Sequence, residues 1–246
     1  AAWTHLAEVF ENVEEEITPI TYVNSSAALK AFCGKHGGTV CTSSNAAQVI
    51  NWALKRRPRV FFFPDQHLAR NTALKMGIPP EAQVLWNHAH PPAEETLTEA
   101  KVILWPGACN VHQRFRPIHI QTVRERYPGI RVAVHPEANS DVVALADEAG
   151  STAQIIRLIE NAPAGTEWAI GTEARLVHRL QQEHPDQRIL SLSDVPAVCA
   201  TMSQITLTNL LETVEPLTRG EYHNEVTVDA ETTRWAKIAL ERMLAL

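Results

Sequence analysis

The chain has 246 residues and a mass of 27.3 kDa, enough for one large α/β domain or two small ones without disulfide staples. It carries 22 Lys and Arg against 28 Asp and Glu, and this net charge of −6 argues against nucleic-acid binding through a basic footprint. No apolar run approaches the ~20 residues that cross a bilayer and no secretory leader is recognisable, so we expect a cytoplasmic protein without a membrane partner.

Short apolar runs alternate with amphipathic stretches along the chain, and this alternation indicates an α/β fold with short parallel sheets covered by helices. Residues with helical spacing, such as Ala47, Ile50 and Leu54, lie between the apolar runs. The last segment, roughly 230–246, is predicted to be one amphipathic helix. The predicted strands are Ile20–Val23, Thr39–Cys41, Val60–Phe63, Val84–Trp86, Val102–Trp105, Val132–Val134, Trp168–Ile170 and Ile189–Leu192.

The two halves of the chain share a loose internal repeat. We therefore predict two related three-layer αβα units, at residues 18–100 and 101–195. The intervals between matching positions are 19 and 21 residues for Asn24, Ser43 and Pro64, and 16 and 20 residues for His135, Ser151 and Gly171.

Polar residues stand at four places where a helix is predicted to begin. For any single serine the ordinary interpretation is a helix cap. Helix N-termini at the carboxyl ends of parallel strands also attract anions, so several together favour a ligand with more than one negative group, a dicarboxylate or a phosphate ester. The absence of GxGxxG and Walker A patterns argues against a nucleotide. The four places are Asn24-Ser25-Ser26, Ser43-Ser44-Asn45, Asn139-Ser140 and Ser151-Thr152.

His135-Pro136-Glu137 follows a predicted strand and leaves two interpretations open. A histidine and a carboxylate at such a position could transfer protons. Alternatively, Glu137 caps a helix and His135 is a loop residue. The other histidines are predicted to be surface residues: His67, His88 and His90 in polar loops, His178 and His184 on or near a helix.

The four cysteines do not form a metal-binding pattern by their spacing. Cys109 and Cys199 both follow predicted strands, but they are 90 residues apart and the chain has no CxxC pair. Cys33 lies inside a predicted helix and Cys41 ends a predicted strand. From the pattern alone, all four could be inert buried thiols.

A series of motifs nevertheless resembles the quinolinate synthase family, in the family's order and from about residue 18 to the end of the chain. The motifs are Tyr22-Val23-Asn24-Ser25-Ser26-Ala27, Cys41-Thr42-Ser43-Ser44-Asn45-Ala46, Pro64-Asp65-Gln66-His67-Leu68, Asn71-Thr72-Ala73, Met76-Gly77, Gly107-Ala108-Cys109-Asn110-Val111-His112, His135-Pro136-Glu137, Gly150-Ser151-Thr152, Gly171-Thr172-Glu173 and Cys199-Ala200-Thr201-Met202.

The resemblance implies a fold of three αβα units in a triangle, of which this chain would hold two. Residues 1–17 would then be a remnant of the first unit, and residues 196–246 a C-terminal segment with a cluster cysteine and a closing helix. It also implies that iminoaspartate and dihydroxyacetone phosphate condense to quinolinate in NAD biosynthesis. A [4Fe–4S] cluster held by three cysteines would act as Lewis acid. Cys109 and Cys199 match two of these ligands; the first has no counterpart here.

The same resemblance assigns the remaining site residues. Glu137 matches the proposed acid/base, and His135 and His112 match pocket histidines that would serve it in catalysis. The substrate-binding positions implied by the resemblance are Tyr22, Asn24, Ser43, Ser151, Thr152 and, near the cluster, Met202.

The partners follow from the implied reaction. Iminoaspartate would come from L-aspartate oxidase or aspartate dehydrogenase, and nothing in the sequence chooses between them. The 246 residues alone are not expected to be active, and their exposed apolar faces are expected to cause self-association. The alternative is a truncated, non-catalytic paralogue that binds small anions or a partner.

Overall fold

β-branched and aromatic residues build two parallel sheets in the computed structural model, which describes residues 2–246. The strands are β1 (Ile17–Tyr22), β2 (Thr39–Cys41), β3 (Arg59–Phe63), β4 (Gln83–Leu85), β5 (Val102–Leu104), β6 (Arg131–Val134), β7 (Glu148–Ala149), β8 (Glu167–Gly171) and β9 (Arg188–Ser191). The first sheet has the order β2-β1-β3-β5-β4 and the second the order β7-β6-β8-β9.

Helices join successive strands, as parallel pairing requires. The predicted α/β class, with short parallel sheets between helical layers, is confirmed. The helices are α1 (Ala2–Val9), α2 (Val13–Glu16), α3 (Ala27–Lys35), α4 (Ala46–Leu54), α5 (Gln66–Lys75), α6 (Glu94–Glu99), α7 (Pro117–Arg126), α8 (Ser140–Leu145), α9 (Thr152–Glu160), α10 (Ala174–Glu183), α11 (Leu207–Thr218) and α12 (Ala230–Leu244). Short 3-10 turns lie at Pro80–Ala82, His112–Arg114 and Met202–Gln204.

The two sheets repeat one winding pattern. In each sheet the first strand in sequence is flanked by the second strand on one side and the third on the other. Ile20 of β1 pairs with Thr39 and Phe62, while Ala133 of β6 pairs with Glu148 and Ile170. This common order supports the repeat that the sequence intervals indicated. The divisions at residues 17, 100 and 195 stay predictions.

The strand boundaries differ from the sequence prediction at several ends. β1 begins at Ile17, three residues before the predicted start, and Val23, Trp86, Trp105 and Leu192 lie beyond the strand ends. β7 was not predicted because Glu148–Ala149 has only two residues and no apolar run to mark it.

The first sheet is buried on both faces. Side chains alternate along β3, so that Phe61 and Phe63 pack on one face while Phe62 packs on the other. The residues predicted as a remnant, 1–17, contribute Leu6 and Phe10 to the Phe61 face. Ala1 of that segment lies outside the described residues.

Helix α12 packs against α3 and the edge strand β2, so the chain's last helix returns to the first unit. Thr39 Oγ1 donates to the Ala239 carbonyl at 3.0 Å, and Arg242 donates to the carbonyls of Gly34 and Gly38 at 3.1 and 2.8 Å. The predicted closing helix is confirmed, and it ends at Leu244.

Helix α11 has a different environment, because Pro216 is its single buried residue. Its leucines are exposed, Leu207 by 86% and Leu211 by 55%. Within residues 2–246, no helix is both long enough and apolar enough to cross a membrane.

Candidate active site between the two sheets

A cleft of about 580 Å³ lies at the carboxyl ends of strands from both sheets. Tyr22 ends β1, His135 follows β6 and Thr172 follows β8, and all three line the cleft. This is where an open parallel sheet places ligands. Among the predicted site residues, those that line the cleft are Tyr22, Asn24, Cys109, His112, His135, Glu137, Thr152, Cys199 and Met202.

His112, His135 and Glu137 form a buried cluster at its floor. The two imidazole rings stack with centroids 4.3 Å apart and an interplanar angle of 12°. His112 Nδ1 lies 2.9 Å from Glu137 Oε2, and His112 Nε2 lies 3.2 Å from Thr172 Oγ1. Glu137 therefore does not cap a helix, and Asn139 holds the N-cap position of α8. The proton-transfer interpretation fits this geometry better than the capping interpretation.

The three groups shift one another's pKa values. Burial opposes charge on His112, but hydrogen bonds and negative charge from Cys109 and Glu137 raise its pKa to about 9. Burial and the charge of His112 lower the pKa of His135 to about 4. Burial opposes charge on Glu137 too, but the His112 hydrogen bond and both histidine charges hold its pKa below the usual range. These pKa shifts favour an imidazolium–carboxylate pair at His112 and Glu137 beside a neutral imidazole at His135.

Tyr22 lies at the rim of the same cluster and contacts Ser43 through its hydroxyl group. Burial and the nearby Glu137 carboxylate raise the pKa of Tyr22 to about 12, so it remains a neutral hydrogen-bonding group.

The cysteines separate into two pairs. Cys109 and Cys199 are partly exposed and line the cleft together, whereas Cys33 and Cys41 are buried in the core of the first unit. Burial raises the pKa of both core thiols. The ligand atoms of Cys109, His112 and Glu137 lie within 4.8 Å of one another, so these three residues could hold a metal ion.

Ser43 and Ser151 do not line the main cleft, although the resemblance implies that both bind substrate. Ser151 is buried and caps α9, where its hydroxyl accepts from the Gln154 N–H at 3.3 Å. Ser44 Oγ donates to Ser151 Oγ at 2.9 Å and so ties the two units together. Ser43 borders a neighbouring cavity of about 490 Å³.

Two of the four predicted helix starts carry a side-chain cap. Ser26 accepts from the Leu29 N–H at 3.3 Å, and Ser151 caps as described above. Asn45 and Asn139 occupy N-cap positions without a side-chain cap bond. Thr152, the first residue of α9, brings that helix N-terminus to the cleft.

Asn71 on α5 reaches from the first unit to the loop that holds Glu137. Its amide group donates to the carbonyls of Pro136 and Ala138, each at 2.8 Å. The His-Pro-Glu segment is therefore fixed from both sides of Glu137 by a residue of the other unit.

Sequence reasoning missed several residues of the cleft. Arg175 and Arg179 on α10 line it, and guanidinium groups bind carboxylates and phosphates well. Arg175 donates to the Met202 carbonyl at 3.3 Å, and Arg179 lies 3.6 Å from the Glu183 carboxylate. The two arginines are four residues apart, in a helix that begins shortly after the end of a strand. This spacing, which places both on one helix face, is the signal that could have found them.

The prediction for His67 was wrong. It lies on α5 rather than in a loop, it is half-buried, and burial lowers its pKa. His88 and His90 are exposed in the loop after β4, and His178 is exposed on α10.

The chain is similar in sequence to known proteins over its whole described length. The family model described as quinolinate synthetase A protein matches residues 2–245. The quinolinate synthase of Rhodopirellula baltica is 52% identical over 250 residues, which cover 100% of this chain and 63% of that relative. Those of Listeria monocytogenes and Bacillus mycoides are 49% and 48% identical, covering 100% and 99% of this chain and 67% and 66% of the relatives. The chain thus spans about two thirds of the length of these relatives.

Proposed function

The chain belongs to the quinolinate synthetase A family, and from this premise we propose that it forms the larger part of a quinolinate synthase of NAD biosynthesis. The reaction would condense iminoaspartate with dihydroxyacetone phosphate to quinolinate. The observation that carries the proposal is the convergence of two thiols from separate loops, Cys109 and Cys199, on one cleft with the buried Glu137.

The donor set fits the [4Fe–4S] cluster that the family resemblance implies. Iron–sulfur clusters are held by cysteine thiolates, and the two partly exposed thiols of the described chain both face the cleft. Cys109 and Cys199 would supply two of the three implied ligands. When bound, the cluster would supply a Lewis-acidic iron to the substrate.

The chain's own residues would bind and orient two anionic substrates. A dicarboxylate and a phosphate ester both need positive partners, and Arg175, Arg179 and the α9 N-terminus at Thr152 provide them at the cleft. Tyr22 and Asn24, which line the same cleft, would contribute neutral hydrogen bonds.

Proton movement would belong to the buried cluster. Glu137 is ionised and can accept a proton, while His112 Nδ1 donates to Glu137 and holds the carboxylate in place. His135 stays neutral beside them; its Nδ1 accepts the Glu137 N–H at 3.3 Å, so its Nε2–H would be the group that donates a hydrogen bond. Condensation and ring closure both need proton transfers, so a paired acid and base at the cleft floor suits this chemistry.

The proposal is tested with the protein expressed from its complete gene and reconstituted anaerobically with iron and sulfide. We expect bound iron and sulfide, and quinolinate production from the two substrates. Cys109→Ala and Cys199→Ala should each abolish the bound cluster and the activity. Glu137→Gln should keep the cluster and reduce kcat by at least about 100-fold, the usual range for an acid/base.

Cys33→Ala is the matched control, because it removes a core thiol and should retain iron and activity. Retention of iron in both Cys109→Ala and Cys199→Ala would overturn the ligand assignment. Binding of phosphate or succinate without any turnover would instead favour an anion-binding paralogue.

A further inference from the structure

The two loops that carry Cys109 and Cys199 repeat the same local structure. In each loop a short 3-10 turn begins three residues after the cysteine, at His112 and at Met202. In each, a helix begins eight residues after the cysteine, at Pro117 and at Leu207. The duplication therefore extends beyond the sheets into the loops of the candidate site.

Each cysteine loop lies beside a buried carboxylate of the neighbouring strand end. Asp65 stands two residues after β3, and Glu173 stands two residues after β8. Asp65 Oδ1 accepts from the Leu68 N–H at 2.8 Å, and Glu173 Oε2 accepts from the Arg175 N–H at 2.7 Å. One oxygen of each carboxylate thus caps a helix.

The second oxygen of each carboxylate accepts the backbone N–H of the cysteine. The Cys109 N–H donates to Asp65 Oδ2 at 2.9 Å, and the Cys199 N–H donates to Glu173 Oε1 at the longer distance of 3.5 Å. The two contacts connect the same pair of positions in the repeat.

A backbone hydrogen bond completes each pairing. The residue after each carboxylate donates to the carbonyl two residues before the cysteine: Gln66 to Gly107 and Ala174 to Ala197, both at 2.9 Å. At Gly107 a side chain would overlap the Pro64 carbonyl, so the close approach of the two segments requires glycine there.

Helix capping alone does not require a carboxylate at these positions. Asp65 and Glu173 are only 5% and 8% exposed, and burial opposes their charge. A buried Ser or Asn would cap the helix, but it would offer a single acceptor oxygen. The carboxylate offers two acceptors, and the structure uses the second one for the cysteine.

We infer that Asp65 and Glu173 are positioning residues that fix the backbone of Cys109 and Cys199, and thereby the spacing of their thiols. This inference rests on the proposed function, since that function makes the two thiols cluster ligands. Neither carboxylate needs to touch the cluster, because each acts through the cysteine N–H.

The test uses Asp65→Asn and Glu173→Gln in the protein from its complete gene. Each amide keeps one acceptor oxygen for the helix and loses the second acceptor. The matched control is Asp229→Asn, since Asp229 caps α12, a helix that packs on α3 and β2, by accepting from the Thr232 N–H. The readouts are amide hydrogen exchange of the metal-free protein and the rate of iron loss from the reconstituted protein to a chelator.

Asp65→Asn should speed exchange of the Cys109 amide by at least about tenfold and leave the Cys199 loop unchanged. Glu173→Gln should speed exchange of the Cys199 amide and leave the Cys109 loop unchanged. We expect a smaller effect there, because the hydrogen bond between Glu173 and the Cys199 N–H is longer. Both variants should lose iron several-fold faster than Asp229→Asn, which should match the parent protein.

Unchanged exchange at both cysteines would overturn the inference, and so would loop-specific exchange changes with unchanged iron loss. Failure of the proposed function looks different: the parent protein itself would bind no cluster, while the exchange readout would still report whether the carboxylates hold the loops.

Discussion

The charge state of His135 is controlled by its immediate neighbours. The residue is 4% exposed, and its ring is stacked on His112, whose pKa is raised to about 9 by Cys109 and Glu137. Burial and the charge of His112 lower the pKa of His135 to about 4, against an ordinary value of 6.5. The fold therefore stabilises the neutral imidazole, whose Nδ1 accepts the Glu137 N–H at 3.3 Å and whose Nε2 carries the proton.

This shift predicts a pH dependence of stability. Between about pH 4 and 6.5 the unfolded chain binds a proton at His135 that the folded chain does not, so the free energy of unfolding rises with pH across this window. His135→Asn should flatten that rise by up to one proton equivalent. Urea unfolding at several pH values from 4.5 to 6.5 measures it.

His178→Asn, an exposed histidine on α10, is the control and should keep the parent slope. If the slope in His135→Asn equals that of the control, His135 is not held neutral by the fold.

Individual site residues were predictable where the chemistry lies in a short motif. His135-Pro136-Glu137 was singled out in that way, whereas Cys109 and Cys199 were assigned only through the family resemblance. The part played by Asp65 was not, because its partner Cys109 is 44 residues away and is reached only through the tertiary pairing of two loops. Ser151 shows the reverse: its sequence position suggests a cap, and the structure shows that cap directly.

Among the elements, helices α3 and α12 make a close crossing that depends on one glycine. A Cβ at Gly34 would overlap the backbone carbonyl of Trp235 on α12. No neighbouring side chain can relieve this contact by rotating, because the obstructing atom is backbone. The sequence showed two amphipathic helices at opposite ends of the chain but not that they meet.

Gly34→Ala tests this crossing, because helix propensity and the close contact predict stability changes of opposite sign. Helix propensity alone predicts that alanine stabilises an interior helical position by about 1 kcal/mol. The crossing predicts the opposite, a loss of about 1–3 kcal/mol from overpacking, measured by urea unfolding. Ala28→Gly, at an exposed position in the first turn of α3, gives the propensity effect without the crossing and should cost up to about 1 kcal/mol. A more stable Gly34→Ala would show that the crossing is looser than described.

Strand prediction succeeded where a run was buried on both faces. β3 and β8 have burial over four consecutive residues and were found as continuous apolar runs. β7 could not be recognised from the sequence, because its two residues are half-exposed at a sheet edge. Its pairing is supplied there by the partner strand β6. Edge pairing of this kind depends on tertiary contacts rather than on local pattern.

For the whole molecule, exposed apolar surface is concentrated in one segment, residues 195–228. Ile205 is 73% exposed and Val226 is 86% exposed, in addition to the leucines of α11. Helix α7 begins eight residues after Cys109, just as α11 begins eight residues after Cys199. Helix α7, however, buries Ile120 and Val123 against the second sheet. Helix α11 has the same position in the repeat but buries no leucine or valine, only Pro216.

The exposed leucines of α11 predict that the 246-residue chain self-associates, since contiguous exposed apolar surface favours association in water. Leu210→Lys combined with Leu211→Lys should shift the chain toward monomer, because each charge would have to be desolvated in any contact made by this face. Sedimentation velocity at about 10–100 μM, a range in which weak association is visible, measures the change.

Thr208→Lys combined with Glu212→Gln changes the net charge of the same helix equally and should leave association unchanged. If both double variants reduce association alike, general charge repulsion rather than the apolar face is responsible, and a monomeric parent chain would contradict the prediction directly.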